Sequence, residues 1–395
     1  MNENPFFRSI RHFFSSFRNF RRFNGSEAHK RHIVFYSESG QDWHHFEPVI
    51  STLLAGAHTL SYVSSDEHDP GLSVTDPHYT SFFIGSNFWL IPFFQFLKAD
   101  CLVLTMIDLN VFHLKRSIHP VHYIYLFHSM GSTHMVDFEN SYDHYDTILC
   151  TGPHQIREIR AREKLKSLPV KNLVPHGYAR VEALLLDERT KKHRLHTPYR
   201  ILLAPTWGPH SILPVCGSAL AAIILDAGYE LILRPHYQTN RLMPEVVQAI
   251  VKTHAGNTRF SYIDRMEETE SLFTSDLLIC DWSSTSLEYA LGLEKPVLYI
   301  DVPRRVRNER YADLAIEPLE VVIRKEVGAI IAPDDLDNVP EVIRRLLSGR
   351  DDFRKKIGEL REKVLFNIGN SVDVGAQAIA AIADEVSGKR KKPVK

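Results

Sequence analysis

Short apolar runs alternate with polar loops and amphipathic stretches along most of this chain. Near-continuous apolar strands that alternate with helices are typical of parallel sheets covered on both faces, so the pattern predicts an α/β fold. In the first half, the runs predicted as strands are 32–36, 58–63, 101–106, 123–127, 147–150 and 171–174.

A polar, charged segment, DERTKKHRLHTPY (187–199), interrupts this alternation, and the runs then restart at 200–204, 230–233, 276–280 and 297–300. A chain of 395 residues also exceeds one ordinary core. We therefore predict two Rossmann-like domains facing each other across a cleft, an N-terminal one (31–190) and a C-terminal one (191–375). A basic arm (1–30) precedes them, and a closing helix with a basic tail (376–395) follows.

The arm is rich in aromatic and arginine residues. In PFFRSIRHFFSSFRNFRRF (5–23) the apolar positions follow helical spacing, and the arginines are accompanied by no acidic residue. Such a helix suits a bilayer interface, where rings bury and cations meet anionic lipid. We expect residues 5–23 to bind an anionic membrane surface, the alternative being a helix packed on the protein or on a partner. The tail GKRKKPVK (388–395) would add to the attraction.

Composition excludes several other classes. A formal net charge of -1 disfavours a nucleic-acid binder. The sequence contains no run of about 18 apolar residues, so no transmembrane helix is expected. The four cysteines (Cys101, Cys150, Cys216 and Cys280) lie far apart, which predicts reduced thiols and neither a disulfide framework nor a metal site. We expect a cytoplasmic protein, peripheral on the inner face of the cell membrane, with no tightly bound cofactor.

Small, hydroxyl and imidazole side chains follow five of the predicted strands. Because ligands of open parallel sheets bind outside the carboxyl ends of the strands, these segments predict a ligand cleft. The candidate positions are His128, Ser129, Gly131, His176, Gly177, Thr206, Trp207, Arg234, His236, Asp281, Ser283, Ser284 and Thr285.

The segment after the run 276–280 is the most informative of these. Ser283, Ser284 and Thr285 precede a predicted helix (286–293), whose N-terminus offers free N–H groups and a positive dipole end to a phosphate. The alternative is local: Thr285 and Glu288 have the spacing of a capping box.

Two histidines are the candidates for proton transfer or phosphate contact. Imidazole titrates near neutrality, so His128 and His236 can take a proton from an attacking hydroxyl or stabilise phosphate charge. His44, His45, His58 and His154 are interpreted as structural hydrogen-bonding groups, and His176 as a residue that caps the turn at Gly177.

Four segments together resemble the CDP-glycerol glycerophosphotransferase family, GT-B enzymes related to teichoic acid primases and polymerases. The segments are VPHGYARVE (174–182), ILLAPTWG (201–208), LILRPH (231–236) and SDLLICDWSSTSLEYALGLEKPVLYID (275–301). The resemblance spans roughly 120–301. It implies an N-terminal acceptor domain, a C-terminal nucleotide-donor domain, and the transfer of glycerol phosphate from CDP-glycerol to a cell-surface glycopolymer or lipid-linked precursor, with CMP leaving.

The resemblance also implies roles for single residues. His128 matches the family's catalytic histidine, His236 the second histidine, and Asp281, Ser283 and Ser284 the segment at the donor phosphates. Arg234 would help to neutralise charge, and Glu288 would contact the ribose. Mg²⁺ would arrive only with the diphosphate. The family's Trp-His-Gly and Pro-Leu-Lys signature is replaced here by Phe127-His128-Ser129-Met130-Gly131, so a different acceptor or transferred group stays open.

Three other functions fit parts of the pattern. A GT-B glycosyltransferase would keep the 281–284 phosphate loop and Glu288, and would use a nucleotide sugar. A nucleotide-sugar 2-epimerase normally needs further carboxylates around the sugar, and the first half of the chain shows no clear pair. A non-catalytic membrane-associated scaffold predicts that replacing His128 or His236 has no effect.

Overall fold

The computed structural model describes residues 5–86, 88–191, 195–264 and 269–391, which form two α/β domains. The N-terminal domain contains a seven-stranded sheet of order β3-β2-β1-β4-β5-β6-β7, in which every strand pair is parallel. Its strands are β1 (Ile33–Ser37), β2 (Leu60–Ser64), β3 (Tyr79–Phe83), β4 (Cys101–Leu104), β5 (His122–Leu126), β6 (Thr147–Cys150) and β7 (Asn172–Pro175).

Helices cover both faces of this sheet, as the apolar strands require. The strands β1, β4 and β6 are buried along their whole length. One face packs against α2 (Trp43–Ala55) and the other against α3 (Leu90–Phe96). The domain also contains α4 (Pro153–Lys166) and α5 (Ala179–Lys191). The segment 187–191 therefore ends a helix instead of beginning a linker, and residues 192–194 lie outside the described part.

The C-terminal domain repeats the architecture with a six-stranded parallel sheet of order β10-β9-β8-β11-β12-β13. Its strands are β8 (Arg200–Leu203), β9 (Glu230–Leu233), β10 (Phe260–Tyr262), β11 (Leu277–Cys280), β12 (Val297–Ile300) and β13 (Gly328–Ile331). Its helices are α6 (Ser218–Asp226), α7 (Tyr237–Leu242), α8 (Pro244–His254), α9 (Glu270–Thr274), α10 (Thr285–Leu293), α11 (Leu319–Val327), α12 (Val339–Ser348) and α13 (Arg350–Val364).

Two helices pack on the domain other than the one that precedes them in the chain. The helix α5 packs on α10, where Leu184 fills the space in front of Gly292. The last helix, α14 (Ser371–Lys391), packs on α2 and on the first sheet through Ile379 and Ala383. It begins before the predicted boundary at 376 and belongs to the N-terminal domain by its contacts. Residues 392–395 of the predicted basic tail lie outside the described part.

The chain crosses between the domains at two places that touch. The Phe366 amide donates to the Thr151 carbonyl at 2.9 Å, and the Asn367 side chain donates to the Pro175 carbonyl at 2.6 Å. Close approach there requires glycine, because a Cβ on Gly152 would lie 1.9 Å from the Val364 carbonyl oxygen. We call these paired crossings the interdomain spine.

The N-terminal helix, α1 (Pro5–Asn24), is docked on the first domain. Phe23 is fully buried beside Phe82, and Phe17 and Phe20 pack on Trp89 with ring centroids 4.7 and 5.5 Å away. Phe14 is 63% exposed. The face of α1 that carries Phe17, Phe20 and Phe23 is therefore packed on the protein, as the alternative prediction has it. Phe14 lies on the face of the helix that is exposed to solvent.

None of the described helices is both long and apolar enough to cross a bilayer. The four cysteines are free thiols, three of them buried.

Candidate active site

A cavity of about 290 Å³ opens between the carboxyl edges of the two sheets. In each sheet the strand order reverses at one point, between β1 and β4 and between β8 and β11, and loops diverge there to leave room for a ligand. The structure brings together most of the predicted positions. Those that line the cavity are His128, Ser129, Gly131, Thr206, His236, Ser283, Ser284 and Thr285.

His128 leaves the end of β5 beside two tyrosines. Its Nδ1 is hydrogen-bonded to the Tyr125 hydroxyl at 3.2 Å, and its carbonyl oxygen lies 3.1 Å from the Tyr178 hydroxyl, which donates to Glu288 at 2.8 Å. His45, interpreted from the sequence as structural, lies at the same place, with its ring centroid 6.2 Å from that of His128. Burial and the nearby His44 and His128 lower the pKa of His45 well below its ordinary value, so it is neutral there.

Two tyrosines lie behind His128. The Tyr142 hydroxyl donates to Asp137, and the Tyr142 ring lies edge-on to that of Tyr125, with 5.0 Å between centroids. The Tyr125 oxygen can accept from Nδ1–H of His128. In that tautomer the Nε2 lone pair of His128 is left for a substrate proton.

Asp137 is the acceptor at the end of this group. Burial raises the pKa of Asp137, while the Tyr142 hydrogen bond lowers it. We call the set Asp137, Tyr142 and Tyr125 the phenol relay.

The opposite wall of the cavity is the N-terminus of α10. Ser283 and Ser284 precede the helix, Thr285 is its first residue, and Ser284 is exposed toward the cavity. The Ser283 hydroxyl accepts from the Thr285 amide at 3.3 Å. Free N–H groups, hydroxyls and the positive helix end together favour a phosphate.

Two arginines that the sequence analysis did not single out, Arg305 and Arg307, line the same wall. The Arg305 guanidinium lies over the Trp207 ring, 4.6 Å from its centroid. Burial and the charge of Arg305 lower the pKa of His236 to about 4, so its imidazole is neutral at physiological pH. Its Nδ1 accepts from the Gln238 amide at 3.1 Å, so Nε2 carries the hydrogen.

Asp281 is buried and is not among the residues that line the cavity, so its contact with the donor phosphates stays a prediction. Its two oxygens accept from the backbone amides of Thr206 at 2.7 Å, Trp282 at 2.8 Å and Ile212 at 3.3 Å. Asp281 therefore joins the loops after β8 and β11 at the reversal point of the second sheet.

Other predicted residues point elsewhere. Glu288 accepts from the Tyr178 hydroxyl at 2.8 Å and from Nε of Arg180 at 2.7 Å, and it does not reach the cavity wall or complete the capping box. Its contact with a ribose stays a prediction. Arg234 is buried and donates to the Ser271 hydroxyl at 3.0 Å.

His176 and Gly177 lie outside the cleft, in contrast to the sequence prediction. His176 is buried against Gly375 of α14, and burial lowers its pKa to about 4. Gly177 has a φ of +104° and packs on the Phe366 carbonyl at the interdomain spine. His154 is structural as predicted, hydrogen-bonded to the Met130 carbonyl at 2.9 Å.

The loop that follows His128 is docked onto the second domain. The Ser132 amide donates to Glu320 at 3.0 Å, and the Ser132 hydroxyl accepts from the Leu319 amide at 2.6 Å. The Met135 carbonyl accepts from the Arg307 amide at 3.0 Å. These contacts bring the loop of His128 and the loop of Arg305 and Arg307 together.

No group of three or more His, Cys, Asp or Glu side chains with metal-binding geometry occurs within the described ranges.

The family of CDP-glycerol:poly(glycerophosphate) glycerophosphotransferases matches residues 118–313, about half of the chain. This range includes His128, Asp137, His236, the 281–285 segment and both arginines of the cavity. No curated protein matches the sequence.

Solved structures similar to this chain share its whole two-domain arrangement. A variant of the wall teichoic acid polymerase TagF soaked with CDPG has a TM-score of 0.60 at 12% identity, covering 98% of each chain. UDP-GlcNAc 2-epimerase from Methanocaldococcus jannaschii, with UDP-GlcNAc and UDP, has a TM-score of 0.55 at 12% identity, covering 89% of this chain and 99% of its own. The lipopolysaccharide glycosyltransferase WaaG has a TM-score of 0.52 at 14% identity, covering 88% and 99%. At such identities the likeness is one of fold, and the predicted GT-B fold is confirmed.

Proposed function

Because the chain belongs to the CDP-glycerol:poly(glycerophosphate) glycerophosphotransferase family, we propose that it transfers glycerol phosphate from CDP-glycerol to a hydroxyl of a lipid-linked or glycopolymer acceptor and releases CMP. The observation that carries the proposal is a histidine, hydrogen-bonded to a tyrosine hydroxyl, on one wall of the cleft, facing a wall of hydroxyls, helix N–H groups and arginines on the other.

The acceptor side of the reaction belongs to the N-terminal domain. His128 takes the proton of the acceptor hydroxyl on Nε2, while its Nδ1–H donates to the Tyr125 hydroxyl at the near end of the phenol relay. Proton transfer by a positioned base contributes about 10²–10⁴-fold to such reactions.

The donor side belongs to the C-terminal domain. The CMP phosphate lies at the N-terminus of α10 with Ser283 and Ser284, and Arg305 and Arg307 neutralise the charge of the transferred phosphate. His236 is neutral in the free protein and so contributes a hydrogen-bond donor from Nε2 instead of a positive charge. Any Mg²⁺ would come with the donor diphosphate.

The bond changes follow from these positions. The acceptor oxygen forms a bond to the β-phosphorus of CDP-glycerol as the bond from that phosphorus to the bridging oxygen breaks. The acceptor proton goes to His128, and the electron pair of the broken bond leaves with CMP. Catalysis rests on positioning and on electrostatic stabilisation of the spread phosphoryl charge.

The direct test is nucleotide release by the purified protein with a lipid-linked acceptor. We expect CMP from CDP-glycerol, together with an acceptor that has gained one glycerol phosphate by mass spectrometry. Parallel reactions with UDP-sugars and other CDP-linked donors serve as controls. Release of UDP with transfer of a sugar, and no CMP from CDP-glycerol, would identify a glycosyltransferase instead.

We also propose that the exposed edge of α1 rests on the inner face of the cell membrane, where nucleotide donors are available. Phe13 and Phe14 are 44% and 63% exposed, Arg18 and Arg21 are exposed beside them, and Phe88 is 64% exposed next to the helix. Aromatic rings that enter the headgroup region, flanked by cations that meet anionic lipid, favour this surface.

Substitution of Phe14 by aspartate is expected to reduce co-sedimentation with phosphatidylglycerol vesicles by about 10-fold, because a charge replaces a ring at the interface. Arg18→Glu should weaken binding mainly at low salt, since its contribution is electrostatic. Phe112→Asp is the matched control, because Phe112 is 52% exposed and lies outside α1. Unchanged sedimentation of Phe14→Asp would contradict the proposal. Point variants are preferable to deletion of the helix, which would uncover the core around Phe23.

A further inference from the structure

A groove of about 560 Å³ lies on the C-terminal domain between α11 and the segment that follows β12. Its volume is in the range of ordinary small-molecule sites, about 300–1,000 Å³. Of the described residues, Trp282 alone lines both this groove and the cavity of the candidate active site. We call it the α11 groove, after the helix that supplies Val321, Val322, Arg324 and Lys325 to its lining.

Arg324 is a buried arginine whose hydrogen-bonding capacity is only partly used. It is 4% exposed, and its Nη1 donates to a carboxylate oxygen of Asp301 at 2.8 Å. Its Nε and Nη2 have no hydrogen-bond acceptor within the described part of the chain. All three guanidinium nitrogens carry donors, and leaving donors of a buried charged group unpaired is costly. An anion that accepts from them would remove this cost.

Two aromatic rings fix the orientation of this guanidinium. Its central carbon lies over the Trp282 ring, 4.1 Å from the centroid, and over the Tyr299 ring, 4.8 Å from the centroid. Stacking on rings offsets part of the cost of burying the charge, and it leaves the N–H edge of the guanidinium for a partner in its plane. A planar fork of N–H groups in a fixed orientation matches the oxygens of a phosphate.

The ion-pair partner of Arg324 is far more exposed than Arg324 itself. The Asp301 side chain is 52% exposed, against 4% for that of Arg324. A half-exposed carboxylate can turn into water with little loss, because water solvates it there. A phosphate in its place would accept from Nη1 and offer further oxygens to Nη2 on the same guanidinium carbon. Asp301 thus occupies the position that an anionic ligand would take.

The remaining lining residues used here add a positive charge and apolar surface. Lys325, the next residue of α11, is exposed. Val322 is 58% exposed, and Val321 and Ile330 are half-buried along the same groove. A bare phosphate ion would contact the charged groups alone, whereas a phosphate that carries carbon atoms would also cover the valines. The lining therefore favours a phosphate ester over the free ion.

From this arrangement we infer that the α11 groove binds a phosphate ester with a short carbon chain, with the phosphate on Arg324 and Lys325 and the chain against Val321 and Val322. The inference goes beyond the proposed function, and binding in the groove does not require transfer in the cleft. Two sources supply this chemistry: a soluble phosphate ester, and the headgroup of an anionic phospholipid.

The first test reads binding at single tryptophans by fluorine NMR. Protein that contains 5-fluorotryptophan gives a signal for each of its four tryptophans, assigned by Trp→Phe variants. We expect glycerol 3-phosphate to shift the Trp282 signal at concentrations that leave the signal of Trp207, which lies beside Arg305, unchanged. Inorganic phosphate should bind with a Kd at least about 4-fold higher, the effect of one buried CH₂ group.

Two results of this titration would contradict the inference. A Trp282 signal that never moves without that of Trp207 would place the ligand in the cleft instead of the groove. A Kd for inorganic phosphate equal to that of glycerol 3-phosphate would remove the carbon chain from the assignment.

The second test changes the groove in opposite directions. Arg324→Met is expected to raise the Kd of glycerol 3-phosphate at least about 10-fold, because the charge-assisted hydrogen bonds are lost. Asp301→Asn is expected to lower this Kd about 3-fold, since it removes a competing negative charge and keeps an acceptor for Nη1. Unchanged Kd values in both variants would overturn the inference.

A matched pair of lysine variants keeps the test decisive if Arg324→Met does not fold. Lys325→Gln should raise the Kd about 3-fold at low salt, because it removes one exposed charge at the groove. Lys252→Gln is the control: Lys252 is also an exposed helical lysine, and it lies on α8. Equal effects of the two lysine substitutions would count against the groove.

The third test separates the two sources. Dihexanoyl phosphatidylglycerol, titrated below the concentration at which it forms micelles, presents a glycerol phosphate on acyl chains. A lower Kd for this phospholipid identifies a lipid headgroup as the ligand, and a lower Kd for glycerol 3-phosphate identifies a soluble ester. A Trp282 signal that moves with neither compound overturns the inference. None of these measurements uses CMP release, so a failure of the proposed function leaves them intact.

Discussion

Replacement of His128 by alanine is expected to lower kcat for transfer from CDP-glycerol by about 10³-fold. In the proposed mechanism the imidazole takes the acceptor proton, and water in its place is a weak, unpositioned base. The donor wall is on the other domain, so the KM for CDP-glycerol should change little. Steady-state CMP release, with donor binding measured by calorimetry, checks both expectations.

Two further variants test how His128 works. Tyr125→Phe removes the hydroxyl that is hydrogen-bonded to Nδ1 of His128. Asp137→Asn removes the carboxylate charge that accepts the hydrogen of the Tyr142 hydroxyl. Both are expected to lower kcat by about 10²-fold, because the wrong ring nitrogen becomes protonated in part of the molecules. Full activity of His128→Ala would contradict the mechanism.

Replacement of Arg305 by alanine is expected to lower kcat/KM for CDP-glycerol by about 10²–10³-fold, since one charged donor to the transferring phosphate of the proposed reaction is lost. Arg305→Lys should recover part of the loss, because it restores charge without the planar stack on Trp207. Arg304→Ala is the control. Arg304 is the neighbouring arginine, and it faces Glu317 at 3.7 Å outside the cavity.

The same substitution has a spectroscopic signature at His236. The positive charge of Arg305 is one cause of its low pKa, of about 4, and burial is the larger cause. Without Arg305 the pKa of His236 should rise and still stay below its ordinary value. The imidazole would then be protonated over a wider acidic range. An NMR titration of the histidine ring protons measures the pKa of His236 in the variant. A pKa that stays at about 4 would contradict the electrostatic effect of Arg305 on His236.

The pattern of hydrophobic residues predicted the inner strands of both sheets and missed three of the outer ones. β3, β10 and β13 are edge strands, and each is only partly buried. Polar residues interrupt β3 (YTSFF) and β10 (FSY), so the criterion that found β1 or β11 does not apply to them. The apolar run of β13 (GAII) was overlooked, whereas β7, the fourth edge strand, was predicted. The packing of α5 on the C-terminal domain and of α14 on the N-terminal domain depends on tertiary contacts, which no local sequence pattern encodes.

The site was predictable where its residues directly follow a strand. His128, His236 and Ser283 were found in this way. Asp137 and Arg305 lie farther along their loops and reach the cavity only because those loops dock on each other. Tyr125 was interpreted as one more apolar residue of β5, since a sequence does not reveal that its hydroxyl meets an imidazole.

The interdomain spine determines how this molecule can move. Both chain crossings lie side by side, hydrogen-bonded through Phe366 and Asn367, and glycines at 152 and 177 press them together. A rotation of the domains about this line would separate Ser132 from Glu320 and carry His128 away from Arg305. In the proposed reaction, the contacts between the two loops would then have to form before the base and the arginines could act on one substrate.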